Sequence, residues 1–486
     1  MTGVGGFLRP LLPFQSGGAD HPARPAGLRW LLVRSLCARN HSGGVPLFSA
    51  IARVFRTPDL RRKIGFTLAI IAIYRLGAHV PTPFVNFPNV QSCLDQSGST
   101  EGLLSLVNLF SGGALLQLSI FALGVMPYIT ATIIVQLLRV VIPHFETLYK
   151  EGQAGQSKLT QYTRYLTIAL ALLQSTTLVT VARSGQLFGA TSIPECQQLL
   201  TNDVWWAQLL MIITLTAGTG LIMWFAELVT ERGVGNGMSI LIFTSIAATF
   251  PSAMGSIWAA RGFEVFLMVL AVGVVVVALV VFVEQSQRRI PVQYAKRMVG
   301  RRTYGGSNTY IPIKVNMAGV VPVIFASSLL YIPALIAQFN QPQPGQEVPG
   351  WVAWIQQYFT SGDQPVYMAT YFLLIIGFTY FYVAITFNPV DVADNMKKYG
   401  GFIPGIRAGR PTAEYLDYVL TRITLPGSIY LGLIALLPLI ALATVGANQN
   451  FPFGGASILI IVGVGLETVK QIDAQLQQRH YEGLLR

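Results

Sequence analysis

Several stretches of this chain run for 19 to 44 residues without one Asp, Glu, Lys or Arg. Among them are 102–138, 204–226, 265–283, 315–346, 364–390 and 423–466. About 20 apolar residues in a helix cross the hydrocarbon of a bilayer. These stretches therefore read as membrane spans, and the longest, 44 residues, holds two. Charged residues are only 11% of the 486, against about a quarter in soluble proteins. The pattern excludes a disordered chain, a collagen, a small disulfide-rich fold and a soluble globular domain. It also disfavours a β-barrel, whose strands are short and alternating.

Ten spans follow: about 64–80, 117–141, 160–182, 205–228, 238–258, 265–284, 315–338, 366–387, 423–445 and 454–473. With the N-terminus inside, the external loops are 81–116, 183–204, 259–264, 339–365 and 446–453, and their only basic residues are Arg183 and Arg261. Most of the chain's other Lys and Arg fall on the opposite side. That asymmetry places both termini in the cytoplasm, and it accounts for much of the net charge of +12.

Two cytoplasmic loops, 285–314 and 388–422, are long and rich in charge, Gly and Pro. They read either as solvated connectors or as a docking surface for a large anionic partner. Residues 1–52 form a basic N-terminal extension, expected to be disordered. Residues 476–486 form a cytoplasmic tail. The extension fits a tail, an over-long start or an organellar transit peptide.

Catalytic signatures are missing. The five His are scattered, and the sequence holds no HExxH, no GxxxxGK[ST] and no GxSxG. Gly233, Gly235 and Gly237 follow no strand, so they read as a tight turn between spans. Metal ligands form no set, and no cofactor is expected. Span centres are nearly free of charge, which weakens an ion-coupled transporter. Arg75 is the exception; near the end of its span, it is expected to snorkel. Cys93 and Cys196 fall in external loops, where a disulfide is open to them.

The run 102–138 is too long for one perpendicular crossing. Its first part, Leu103–Gln117, is interrupted by Asn108, Ser111, Gly112 and Gly113. It reads as a re-entrant helix enclosed by protein or as an interfacial helix. A full helix containing Pro127 is expected to follow.

Several long segments now carry a resemblance. They are FSGGALLQLSIFALGVMPYITATIIVQLL (110–138), KEGQAGQSKLTQYTRYLT (150–167), VTERGVGNGMS (229–239), RRIPVQYAKR (288–297), YIPIKVNMAGVVPVIFASSLL (310–330) and NPVDVADNMKKYGGFIPGIRAGRPT (388–412). From about Arg53 to Arg479 the chain resembles the SecY family, the central channel subunits of the bacterial Sec protein translocase. The resemblance implies an all-α polytopic membrane protein of ten transmembrane helices. These form two inverted five-helix halves, 53–258 and 259–475, hinged around a central pore, with a short re-entrant plug helix at about 103–117.

It further implies a channel, not an enzyme, that passes unfolded polypeptides and releases hydrophobic segments sideways into lipid. The pore ring would be Val125, Ile129, Met238, Ile242, Ile324 and Ile460. Val125 and Met238 depart from the common isoleucine, which would soften the seal. The plug would include Leu103, Asn108, Phe110, Gly112 and Gly113. Thr130, Gln136, Ser327 and Ser328 would line a lateral gate between spans 2–3 and 7–8. Arg288, Arg289, Arg301, Arg302 and Arg407 would dock cytoplasmic partners.

Implied partners are SecE-like and SecG-like small membrane subunits, a SecA-like motor ATPase, the ribosome, signal peptides, nascent chains and membrane lipids, and no DNA. The implied place is the plasma membrane of a bacterium, with an organellar membrane such as the thylakoid second. Apart from the resemblance, a secondary transporter needs a polar midplane site that is not visible. A scaffold or insertase without a pore would have no use for the ring.

Overall fold

The computed structural model describes residues 57–97, 111–183, 199–201, 204–294, 297–299, 302–304, 308–339, 349–360, 364–445 and 455–484. The basic extension lies outside the described residues. Helices come first in chain order: α1 (Pro58–Gly77), α2 (Phe87–Ser97), α3 (Met126–Val141), α4 (Pro143–Lys150), α5 (Gln153–Arg183), α6 (Trp205–Arg232) and α7 (Gly237–Gln285). Strands β1 (Gln287–Tyr294), β2 (Arg297–Val299), β3 (Arg302–Tyr304) and β4 (Asn308–Lys314) follow. Then come α8 (Val321–Phe339), α9 (Gly350–Ile355), α10 (Pro365–Thr386), α11 (Pro389–Lys398), β5 (Gly401–Phe402), α12 (Arg410–Val445) and α13 (Gly455–Leu484).

A helix overlaps each of the ten expected spans. Among the described residues six helices, counting the two parts of α7 separately, are long and apolar enough to cross a membrane alone, or seven if the bent pair α3–α4 counts as one span. Residues 59–486 pack as one unit.

One expected boundary is corrected. The second span does not begin as helix at 117. Residues 112–125 form buried turns, and the helix starts at Met126. Pro127 opens its first turn, where a missing N–H costs nothing. The helix ends where Ile142, extended at φ −108° and ψ 114°, precedes Pro143. A residue before proline is driven out of helical geometry, and the chain turns by 101° into α4.

The external loop expected at 259–264 is a tight break within α7: Gly237–Ala259 and Gly262–Gln285 are two separate apolar helices, and Gly262 at the break leaves the helical region, at φ 82° and ψ 176°. That conformation is open to glycine at little steric cost.

The two long loops also differ from simple connectors. β1 pairs antiparallel with β4 from Gln287↔Lys314 to Gln293↔Asn308. β5, from the other loop, pairs with the far end of β1 through Gln293↔Phe402 and Tyr294↔Gly401. One sheet, ordered β4-β1-β5, thus joins both loops. Pro291 fits in β1 because it pairs with Tyr310 on one side and lies outside the short β5 pairing on the other. Ile290, Val292 and Ile313 turn inward against Met396, Ile403, Leu416 and Val419.

Leu416, at the start of α12, is fully buried in this contact. Leu416→Ala is expected to destabilise the protein by about 2–5 kcal/mol, the range for a buried leucine whose site cannot collapse. Thermal melting in detergent reads this directly; an unchanged melting temperature would mean the sheet is not anchored to α12.

Candidate functional site

Four helix starts bring the expected ring residues together. Val125 caps α3, and the Ile129 amide donates to its carbonyl at 3.1 Å. The two side chains thus stand one turn apart on one face. Asn236 caps α7 by accepting from the Met238 amide at 3.1 Å. Thr67 Oγ1 holds the preceding turn by accepting from the Val234 amide at 3.2 Å. Met238 and Ile242 follow in the first two turns. Ile324 lies in the first turn of α8 and Ile460 in the second turn of α13.

Five of the six are buried members of one hydrophobic cluster, and Met238 packs against it half-buried. Tyr74, Phe121, Phe225 and Phe325 surround them in the same cluster. The cluster carries no charge and joins residues from both chain halves.

Of the expected plug, Leu103, Asn108 and Phe110 lie outside the described residues. Gly112 and Gly113 are described, and the stretch from Ser111 to Gln117 is turns rather than helix after Ser111. Gly112 has φ +68° and Gly113 φ +90°. A Cβ on Gly112 would stand 2.9 Å from Arg75 Nη1 and 3.0 Å from Ser245 Cα. Arg75 is half-buried, and its Nη1 donates to the Gly112 carbonyl at 3.0 Å. The guanidinium of Arg75 thus has a carbonyl of the chain as a hydrogen-bond partner.

Beside it, Tyr74 OH and Ser245 Oγ are 2.7 Å apart. Ser245 Oγ donates to the Leu241 carbonyl, so the tyrosine donates to the serine. Sequence reasoning missed Tyr74 and Ser245. They stand 171 positions apart, and only Arg75 gave a signal, as a charge within a span.

The gate candidates divide. Thr130 Oγ1 donates to the Met126 carbonyl at 3.0 Å, and Ser327 Oγ to the Ile324 carbonyl at 2.9 Å. Both bonds stay within one helix, so neither hydroxyl bridges helices. Gln136 is half-buried on α3, and Ser328 Oγ is buried without a hydrogen-bond partner. Helices α3 and α8 touch.

On the sheet, Arg288 and Arg289 are exposed, and the Arg289 guanidinium lies 5.0 Å from the centre of the Tyr310 ring. Arg407 is exposed beyond β5, and its carbonyl accepts from Thr412 Oγ1 at 2.9 Å. Arg301 and the side chain of Arg302 lie outside the described residues. Cys93 is buried and disulfide-bonded, while Cys196 lies outside the described residues. Intact mass is expected to rise by two hydrogens for each disulfide reduced; no rise would rule the bond out.

A family model described as SecY matches residues 119–469. The protein translocase subunit SecY of Streptomyces galbus is 65% identical over 444 residues, 90% of this chain and all of that one. Among solved structures, one is described as "The plug domain of the SecY protein stablizes the closed state of the translocation channel and maintains a membrane seal". It superposes with a TM-score of 0.56 at 17% identity, over 84% of this chain and 91% of the other. Another, Sec61 in the canine ribosome-channel complex from the endoplasmic reticulum, gives 0.53 at 18% identity, over 84% and 91%. At such identities the structures bear on the fold alone, while the sequence matches bear on descent. This multi-pass membrane protein belongs to the SecY family.

Proposed function

We propose that this chain is the central subunit of a protein-conducting channel, through which unfolded polypeptides cross a membrane. One observation carries the reading. Side chains from four helix starts, in a chain 65% identical to a translocase subunit, close on one another as an uncharged cluster. A translocating polypeptide offers every kind of side chain. An aliphatic constriction gives it no hydrogen bonds to stick to, and the same lining holds back hydrated ions by dewetting. Val125, Ile129, Met238, Ile242, Ile324 and Ile460 would form this waist.

The segment 103–117 would plug the channel at rest, as the plug domain of one solved relative is described as stabilising that channel's closed state. Hydrophobic segments would leave sideways between α3 and α8, past Thr130, Gln136, Ser327 and Ser328. Since Thr130 and Ser327 bond within their own helices, parting that seam breaks none of their hydrogen bonds. The two halves would move about the Gly262 break.

The work would come from outside the chain. A SecA-like ATPase or a ribosome would dock on the sheet through Arg288, Arg289, Arg301, Arg302 and Arg407, and the membrane potential would assist. SecE-like and SecG-like subunits would complete the channel. The basic side would face the cytoplasm of a bacterium, with the plasma membrane as the site.

Single-channel conductance in planar bilayers tests this. The intact complex is expected to be nearly silent, and a version lacking 103–117 to open repeatedly. Equal silence in both, with insertion confirmed, would remove the plug and leave a scaffold or carrier as the better reading.

A further inference from the structure

Two polar side chains at the ends of neighbouring spans have no place in the mechanism so far. Glu284 follows directly on the charge-free run 265–283, and Asn316 stands second in the run 315–346. They meet: Asn316 Nδ2 donates to Glu284 Oε1 at 2.6 Å and to the Gly319 carbonyl at 3.2 Å. Asn316 is only 3% exposed. Both of these neighbours are acceptors, so the amide must turn its nitrogen toward them. Its Oδ1 is then left buried, without a hydrogen-bond partner among the described residues. An unpaired buried acceptor is costly, and its presence in a folded chain calls for a cause.

The two bonds of the amide lead to opposite sides of a joint. Glu284 lies in the last turn of α7, at the foot of the sheet. There the Val315 amide, just past β4, donates to the Ser286 carbonyl, just before β1, at 3.0 Å. Helix α12 fixes this foot. Gly427 of α12 lies so close to the Val315 carbonyl that a Cβ has no room, and Leu416 and Val419 of the same helix pack under the sheet. Gly319 lies on the other side, where a φ of +60° turns the chain toward α8. Ile324, in the waist, is five residues further on. Helix α8 cannot shift against the sheet unless the turn 315–319 changes shape, and the forked amide of Asn316 holds that turn from within.

We propose that Asn316, held by Glu284, is a positioning residue of the channel's seal: its side-chain amide pins the turn 315–319 between the sheet and α8 and so fixes where Ile324 stands in the waist. The proposal rests on the channel reading. A hydrogen bond to a carboxylate is stronger than one between neutral groups. Its loss frees the start of α8, and the waist parts more often.

The test is resting ion conductance of the reconstituted complex in planar bilayers, read beside its melting temperature. Asn316→Leu removes both bonds and leaves the Glu284 carboxylate unpaired. It is expected to raise resting open probability about tenfold, the scale of one charge-assisted bond, and to lower the melting temperature. Glu284→Leu combined with Asn316→Leu removes the carboxylate as well. Replacing both partners by apolar groups is nearly neutral for stability, so melting is expected to return toward wild type while the leak stays. A merely structural pair would not leave that leak, and the double variant reads the clip even where the single one fails to insert.

Two results overturn the clip alone. One is a double variant that regains both its melting temperature and its silence, since the unpaired carboxylate had then merely loosened the fold. The other is silence of both leucine variants while Ile129→Asn with Ile324→Asn leaks; the channel reading then stands. If the asparagine pair is silent too, with insertion confirmed, the waist is no seal and the clip falls with it.

Discussion

Replacing Ile129 and Ile324 together with asparagine is expected to turn a tight channel into one that leaks ions without any polypeptide present. Both side chains are buried in the closed cluster, at 6% and 8% exposure. An amide buried there would be packed among aliphatic and aromatic side chains. Leaving such a group unpaired costs about 1–3 kcal/mol. In an open, wet waist the amide would be hydrated and that cost would vanish. Two such sites shift the balance by about 2–6 kcal/mol, and 1.4 kcal/mol is tenfold. Open probability is therefore expected to rise between about thirtyfold and ten-thousandfold.

Ile375→Asn is the control. Ile375 is fully buried in a different cluster, on α10. It is expected to lower thermal stability without opening the channel. A double mutant that melts lower yet stays as silent as wild type would mean that the cluster is ordinary core and no gate.

The parts of the fold legible in the sequence are those the bilayer dictates. A helix overlaps every expected span, because the hydrocarbon demands both length and apolarity. The buried turns of 112–125 were not legible. Their composition is that of a span, and the fold rather than the local sequence decides their backbone. Thr82 donates to the Leu118 carbonyl at 3.0 Å and Ile120 to the Val80 carbonyl at 2.9 Å, so neighbours satisfy what a helix would have satisfied itself.

The sheet β4-β1-β5 leaves only a faint trace in the sequence. Ile290 and Val292 alternate in β1, as Ile311 and Ile313 do in β4, but the arginines and glycines around them give the segment the composition of a loop. At the candidate site, the ring came from the resemblance; apolar residues in spans are too common to single out six. The Tyr74–Ser245 tie had no sequence signal at all, since nothing local links two residues 171 apart.

Charge reversal on the sheet and the turn beyond it, with Arg288, Arg289 and Arg407 all exchanged for glutamate, is expected to abolish ribosome binding at physiological salt. The two loops are unequal in charge. Residues 285–314 hold seven basic residues and no acidic one, whereas 388–422 hold five basic and four acidic. The field that would draw RNA phosphate thus comes mainly from the β1–β4 side. Arg288 and Arg289 stand exposed on β1, whose sheet is anchored to α12 through Leu416 and Val419. A fixed platform loses little freedom on docking, so its charges act at full effect.

Each arginine–phosphate pairing removed is expected to lower the slope of log affinity against log salt by about 0.9 for duplex nucleic acid. Removing the pair on β1 alone would lower it by about 2. Arg407→Glu alone, in a loop that already holds four acidic residues, would change the slope less. Sedimentation of ribosomes with proteoliposomes across a salt series reads both quantities. An unchanged slope in the triple mutant would mean that the sheet is a solvated connector after all, and that the ribosome, if it binds, does so elsewhere on the chain.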